Sequence, residues 1–152
     1  MSLPTFSSDF IDTTLYQLGA SSIKVVNGKQ HVVDFVLGDD GKVTYLFTIT
    51  RENRFYLQRA WPYPMVHGRF SNEKEIIDFI ARDSQAFRRA VNSKNYPHFV
   101  EDVRCALSLT EDLEGLFLRH NISPEDLASL HDAFDGLRGL IREIADKSPV
   151  IE

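Results

Sequence analysis

Arg59 is the residue whose place in the sequence most strongly indicates a binding site. The strand register derived below places it on the apolar face of a sheet, opposite Tyr45 and between Leu57 and Trp61. A guanidinium buried without a partner is costly, so it must be paired, stacked or led back to water. It is therefore either a structural arginine that snorkels over Trp61 to the rim of an edge strand, or an anion anchor in a pocket with Tyr45 and His31 as neighbours.

His67 is the best-placed residue for acid-base chemistry, because the glycine-containing loop Met65-Val66-His67-Gly68-Arg69 can present it to a substrate. We expect it to join Arg59, Tyr45 and His31 if a ligand pocket exists. A surface-loop histidine with no role is the plainer interpretation.

Other chemistry is poorly supported by the residue pattern. His98 with Glu101 and His131 with Asp135 each bring one nitrogen near a carboxylate, which is fewer ligands than a metal site needs. Cys105 is the single cysteine of the chain, and no histidine in its own helical turn would activate it. Because no glycine-rich phosphate loop, nucleophile elbow, zinc helix or calcium loop is present, we expect no cofactor, no metal and no catalytic residue.

The charge is unevenly distributed along the chain. The 152 residues carry a net charge of -5, with seven Lys and Arg against six Asp and Glu in residues 1–70 and ten against sixteen in residues 71–152. An acidic helical half argues against a protein that coats DNA. A local basic stretch nevertheless leaves single-stranded nucleic acid as an alternative partner, and it consists of Arg51, Arg54, Arg59 and Arg69.

The N-terminus lacks the basic start and the apolar stretch of a signal peptide, and no apolar run approaches the length of a membrane span. A lone cysteine also fits a reducing compartment. These features predict a cytoplasmic protein that does not bind membranes.

The elements that must position these residues predict a single α+β domain. Its parts are an N-terminal helix in residues 1–20, a four-stranded antiparallel meander of order 1-2-3-4 in residues 21–62, a crossing loop in residues 63–70, and three to five helices in residues 71–148. The first helix, about Asp9 to Leu18, should pack on the sheet. The predicted strands are Ser22–Val26, Gln30–Leu37, Val43–Thr50 and Arg54–Trp61.

Three turns determine the expected register of this meander. Each is interpreted as a three-residue loop, because only an odd number of residues keeps the apolar faces of neighbouring strands in phase. The turn at Asn27-Gly28 then places Ile23 opposite His31, that at Asp39-Asp40-Gly41 pairs Leu37 with Val43, and that at Arg51-Glu52-Asn53 pairs Ile49 with Phe55. The shared apolar face is predicted to hold Ile23, Val25, Val33, Phe35, Leu37, Val43, Tyr45, Phe47, Ile49, Phe55, Leu57 and Trp61.

The helical half has its own signals. Ser71 is the predicted cap of a helix that restarts near Asp83 or Ser84, Pro97 suits the first turn of the next helix, and Thr110 marks a further turn or kink. Ser123-Pro124 begins the last helix, whose apolar seam is Leu127, Leu130, Phe134, Leu137, Ile141 and Ile144. We expect the preceding helix to cover this seam in an antiparallel hairpin, with an intermolecular coiled coil as the alternative.

Two surfaces predict protein binding. The face of the meander opposite Arg59 mixes polar and apolar residues, among them Val32, Leu46 and Tyr56, as expected where a second subunit, a partner protein or a later helix lies. The stretch Trp61-Pro62-Tyr63-Pro64 is rigid and amphipathic, and we expect the segment from Trp61 to Phe70 to contact a partner through Trp61, Tyr63 and Arg69.

The sequence thus favours a non-catalytic binding or adaptor protein that forms a homodimer through this opposite face and also binds another protein. The first alternative is a small-molecule or anion-binding domain, with or without enzymatic activity, around Arg59. The second is a protein that binds single-stranded nucleic acid through Arg51 to Arg69.

Overall fold

The chain folds as an α+β protein in which one helix precedes a four-stranded antiparallel sheet and three helices follow it. The computed structural model describes residues 6–39 and 41–151. The fold class and the strand order β1-β2-β3-β4 agree with the prediction. The elements are α1 (Phe6–Gln17), β1 (Gly28–Leu37), β2 (Gly41–Thr50), β3 (Phe55–Trp61), β4 (Met65–Phe70), α2 (Glu73–Ala90), α3 (Tyr96–Arg119) and α4 (Pro124–Lys147).

The hairpin between β2 and β3 has the predicted register up to a bulge at Thr44, which pairs with Trp61. Ile49 pairs with Phe55, and Tyr45 pairs with Arg59. Asn53 takes a left-handed conformation with φ 52°, which asparagine tolerates better than most residues. This turn therefore places Arg59 on the same face as Tyr45, as expected.

The hairpin between β1 and β2 keeps the predicted parity but shifts by two residues. Leu37 pairs with Gly41 rather than with Val43. Gly38 supplies the left-handed residue, with φ 66°, and Asp40 of the predicted loop lies outside the described residues. Because a shift of two residues leaves every side chain on its own face, the apolar residues still point to the same side.

The predicted first strand, Ser22–Val26, is wrong. Those residues form no strand, and Gly28 begins β1, where it pairs with Thr50. A Cβ at Gly28 would lie 2.8 Å from the carbonyl oxygen of Ile49, so this glycine permits a close approach of two strands and does not form a turn.

The predicted crossing loop at residues 63–70 is also wrong in most of its length. Pro62 and Pro64 do end β3 at Trp61, but the chain reverses within three residues and returns as β4, in which Gly68 pairs with Leu57. A bulge lies beside this pair, and Gly68 has φ 88°. The sheet still has four strands, because β4, which was not predicted, makes up for the predicted first strand, which does not form.

The core lies between the sheet and the helices α2 and α3. Ile23 and Val25, which precede β1, Val33, and the half-exposed Trp61 belonged to the predicted apolar face but are not part of this core, whereas Phe70 of β4 joins it. The other residues of the predicted face are buried in the core or packed against it: Phe35, Leu37, Val43, Tyr45, Phe47, Ile49, Phe55 and Leu57. The buried apolar residues are Leu37, Val43, Tyr45, Phe55, Leu57, Tyr63, Ile76, Phe87 and Val100.

The two helices of the core are longer than the sequence signals suggest. Asn72 and not Ser71 caps α2, since its side chain accepts a hydrogen bond from the backbone N–H of Glu75. The helix then continues through Asp83 without a second start. In the same way α3 continues through Thr110 as one helix.

The outermost helices pack loosely. The apolar stripe of α1 stays largely exposed, so the expected packing of this helix on the sheet is not formed by the described residues. The start of α4 is as predicted, because Ser123 accepts from the backbone N–H of Asp126. The seam of α4 is covered unevenly: Leu127, Leu130 and Phe134 are half-buried near the connection to α3, whereas Leu137, Ile141 and Ile144 are exposed. The expected hairpin of α3 with α4 therefore covers at most the first half of the seam.

Candidate functional site

Arg59 is held by an acidic side chain of its own chain. It is only 4% exposed, and Asp83 of α2 reaches it across the space between helix and sheet. The Nη2 of Arg59 lies 2.8 Å from Oδ1 and 2.9 Å from Oδ2 of Asp83, and Nε lies 3.2 Å from Oδ2. This geometry is a bidentate ion pair, the form in which a buried guanidinium is best compensated.

Aromatic side chains complete the surroundings of Arg59. Its Cζ lies 4.6 Å from the ring centre of Phe87 and 5.2 Å from that of Tyr63. The Nη1 atom meets the sulfur of Met65 at 4.0 Å. The guanidinium is therefore enclosed by rings and by one carboxylate, so the structure favours a structural role over an anion anchor, and Arg59 does not reach the rim over Trp61.

Tyr45 belongs to the same buried network. Its Oη donates to Oδ2 of Asp83 at 2.5 Å. Burial raises the pKa of Tyr45 well above its usual range, and the hydrogen bond to Asp83 adds to this effect. The hydroxyl consequently remains protonated at neutral pH and serves as a donor to the carboxylate.

His67 lies beside this network, and His31 lies apart from it. The His67 ring packs against Phe79 at 4.5 Å, and its Nε2 is buried without a hydrogen-bond partner among the described residues. His31 is exposed and stacks on Phe47. Of the four predicted ligand-binding residues, the structure thus brings together Arg59 and Tyr45, with His67 at their edge.

The pKa of His67 predicts a stability loss in mild acid. Burial lowers this pKa, and the charge of Arg59 lowers it further against the opposing effect of Asp83. Since an unfolded histidine titrates near about 6.5, the unfolded chain takes up the proton first. The stability that neutral His67 contributes is therefore complete above about pH 6.5. It is lost as the pH falls from there towards the pKa of His67 in the folded chain.

We expect urea unfolding to show a smaller loss of stability on acidification for His67→Gln than for the unchanged chain, with His120→Gln, at an exposed position, as the control. An equal loss in all three proteins would contradict the assignment to His67.

A concave site with a basic lining lies at one end of the sheet, apart from the Arg59 network. It encloses about 350 Å³ between the segment that precedes β1, the β2–β3 turn, the start of β3 and the end of β4. Its four cations come from three separate parts of the chain, and among the described residues Glu52 is the single acid of the lining, where it pairs with Arg54 at 3.2 Å. The four are Lys24, Arg51, Arg54 and Arg69.

The outer face of the sheet, meaning the side away from α2, is open. One row of neighbours crosses all four strands and consists of Val32, Leu46, Gln58 and Val66. Val32 and Val66 are 65% and 63% exposed. The next row contains Tyr56 beside Arg69, so the basic site adjoins the outer face.

The predicted contact residues at the end of β3 separate into two groups. Trp61 is accessible, and Arg104 of α3 stacks on it at 4.9 Å while donating to the carbonyl oxygen of Pro62 at 2.7 Å. Tyr63 is buried against Phe87, so it cannot contact a partner as the sequence suggested. The reason is the sharp reversal between β3 and β4, which turns Tyr63 inward.

Sequence reasoning missed Asp83, Lys24 and Arg104. Asp83 had a usable signal, because it lies seven residues after Ile76 and four before Phe87, within the apolar stripe of one helix. An acid in that stripe is the natural partner for an arginine on the apolar face of the sheet. Lys24 reaches the basic site, and Arg104 reaches Trp61, only because of how a loop and a helix are placed in the fold. Their neighbours in the sequence carry no comparable signal.

No helix within the described residues is long and apolar enough to cross a membrane. The same residues contain no group of three or more histidine, cysteine or carboxylate side chains placed to hold a metal ion. No family model, no curated protein and no solved structure matches this chain. The fold and its surfaces define an α+β protein with a closed polar network in the core, an open sheet face and a basic end.

Proposed function

We propose that this protein is a non-catalytic binding or adaptor protein of the cytoplasm, which recognises another protein through the outer face of its sheet. The observation that carries this proposal is the mainly apolar row of Val32, Leu46, Gln58 and Val66, in which both valines are more than half exposed. An open apolar face of this kind is the usual mark of a protein contact.

The total accessible surface supports the same proposal. It amounts to 12467 Å², whereas a compact monomer of 17.4 kDa exposes about 7,900 Å². Exposed apolar side chains of α1, of the outer face and of the second half of α4 contribute to this excess. A standard interface buries about 800 Å² per partner, so this chain exposes enough additional surface for more than one contact.

The partner that suits the outer face presents an apolar strip with polar flanks. Thr44 donates to Asp34 at 2.5 Å, and Lys42 lies 3.8 Å from the same carboxylate, so the polar groups at one flank are already satisfied within the sheet. An apolar strip with one hydrogen-bonding group opposite Gln58 can therefore cover the row without leaving a buried polar group unpaired.

The test replaces Val32 and Val66 with aspartate. Proteins that cross-link to the unchanged chain in extract of its native cell are compared with those that cross-link to V32D/V66D and to a control, V150D, which places the same charge at another exposed valine. We expect one protein to cross-link to the unchanged chain and to V150D but not to V32D/V66D. The same protein, once purified, should bind the unchanged chain. Purified candidates that bind all three chains equally would overturn the proposal.

A second candidate function is the binding of a small anion at the basic site. The observation in its favour is the convergence of Lys24, Arg51, Arg54 and Arg69 on one pocket in a chain of net charge -5. Guanidinium groups bind phosphate and carboxylate well, because their donors match the spacing of two anion oxygens.

Calorimetry with inorganic phosphate and with an oligothymidylate tests this candidate. We expect phosphate binding that weakens at least about tenfold in R51A/R69A, the result of removing two cationic contacts, and remains in the control R88A. Binding of the oligothymidylate alone, with a steep dependence on salt, would favour the nucleic-acid alternative, and no binding of either would exclude both.

A further inference from the structure

Helix α4 carries a complete apolar seam, of which only the N-terminal half is partly covered within the chain. Leu127, Leu130, Phe134, Leu137, Ile141 and Ile144 alternate three and four residues apart, the spacing of a coiled-coil interface. Leu140 widens the stripe. In the second half of the helix the apolar side chains are 46–59% exposed, which leaves about two turns of apolar surface in contact with water.

The charges of α4 are complementary to a reversed copy of the same helix. Its first half carries Glu125, Asp126, Asp132 and Asp135 and no lysine or arginine. Its second half carries Arg138, Arg142 and Lys147 against Glu143 and Asp146. A parallel pair would place four acids beside four acids, whereas an antiparallel pair places the acidic half of each helix beside the basic residues of the other.

We propose that α4 pairs antiparallel with α4 of a second copy of this chain, with the two-fold axis between Asp135 and Gly136. This alignment matches every seam residue with an apolar one of the second copy: Leu127 with Ile144, Leu130 with Ile141, and Phe134 with Leu137. It also brings Asp126 near Lys147 at each end of the pair.

The proposal is independent of the function proposed for the outer face. It differs from the dimer expected from the sequence, because it joins two copies through α4 and leaves the outer face open to another protein. The exposed surface of the chain exceeds that of a compact monomer by several times the area that one subunit of a standard dimer buries.

Sedimentation velocity of the full chain tests the surface used. We expect a dimer of about twice 17.4 kDa, and a monomer for L137E/I141E, with the dissociation constant raised at least about 100-fold. The matched control V32E/V36E, which places two glutamates on the outer face, should remain dimeric. A monomeric unchanged chain, or a dimer that V32E/V36E dissociates and L137E/I141E does not, would overturn the proposal. Helical circular dichroism verifies that each variant is folded.

Disulfide cross-linking tests the orientation. In a Cys105→Ser background, Leu127→Cys alone should not cross-link, because antiparallel pairing separates the two copies of residue 127 by about 26 Å, well beyond disulfide reach. The double variant L127C/I144C should form a covalent dimer. Cross-linking of Leu127→Cys alone would show a parallel pair, and failure of the double variant would contradict the proposed register.

Discussion

Replacement of Asp83 by alanine should lower the free energy of unfolding by about 3 to 5 kcal/mol, the range for breaking a buried ion pair at one partner. The Arg59 guanidinium would remain almost fully buried, between the rings of Tyr63 and Phe87, without a carboxylate. Tyr45 would lose its acceptor at the same time. Urea unfolding followed by circular dichroism measures the change.

The matched control for Asp83 is Asp78, on the same helix. Asp78 pairs with Lys74 in an exposed ion pair, and Asp78→Ala should cost less than about 1 kcal/mol because solvent screens such pairs. A further variant, R59M/D83L, removes both charges and should recover much of the stability lost in Asp83→Ala. A loss at Asp83 no larger than that at Asp78 would show that the network is not buried.

Replacement of Leu57 by alanine should lower the free energy of unfolding by about 2 to 5 kcal/mol, as expected for a leucine truncated inside a core. Leu57 has no exposed surface and lies at the centre of the sheet, between Phe47 and Gly68 in the register. Its packed surroundings cannot collapse fully into the space that the side chain leaves. Thermal and urea unfolding measure this loss.

Leu118→Ala is the matched control for Leu57, because the same side chain is 76% exposed on α3. We expect a change within about 0.5 kcal/mol for this surface position. Equal losses at the two leucines would mean that the apolar face of the sheet is assigned to the wrong side.

The fold class was predictable because the alternation of apolar and polar residues in β2 and β3 allows one register for the pairing of these two strands. Asn53 tolerates a left-handed backbone and lies where the odd-numbered loop requires it, so the pairing of Tyr45 with Arg59 followed directly from residue types. Ser123 and Pro124 determined the start of α4 in the same local way.

The errors arose where glycine and proline have two physical uses. Gly28 and Gly41 suggested turns, yet a Cβ at either would come within 3 Å of a backbone oxygen of the neighbouring chain segment, so both allow close approach at a strand start. Pro62 and Pro64 correctly ended β3, but local rules do not show whether a chain then leaves the sheet or returns to it. Gly68 within β4 further obscured the strand.

The site was partly predictable for a related reason. The register alone showed that Arg59 needs a partner, and the identity of Asp83 depended on how α2 lies over the sheet, which is a tertiary property. The apolar stripes of α1 and α4 were also visible in the sequence. A stripe shows that a helix needs a neighbour and does not show which one. Accordingly, α1 does not pack on the sheet as expected, and the second half of the α4 seam stays exposed.

The length of α4 has a consequence for how tightly a dimer can hold its targets. Twenty-four residues make a rod of about 36 Å, so reversed pairing would anchor the two α3–α4 connections at opposite ends of a stiff spacer. Two sheets carried in this way could engage two sites on one assembly at once. Such bivalence raises apparent affinity by about 10²–10⁴-fold where the spacing of the sites matches the rod.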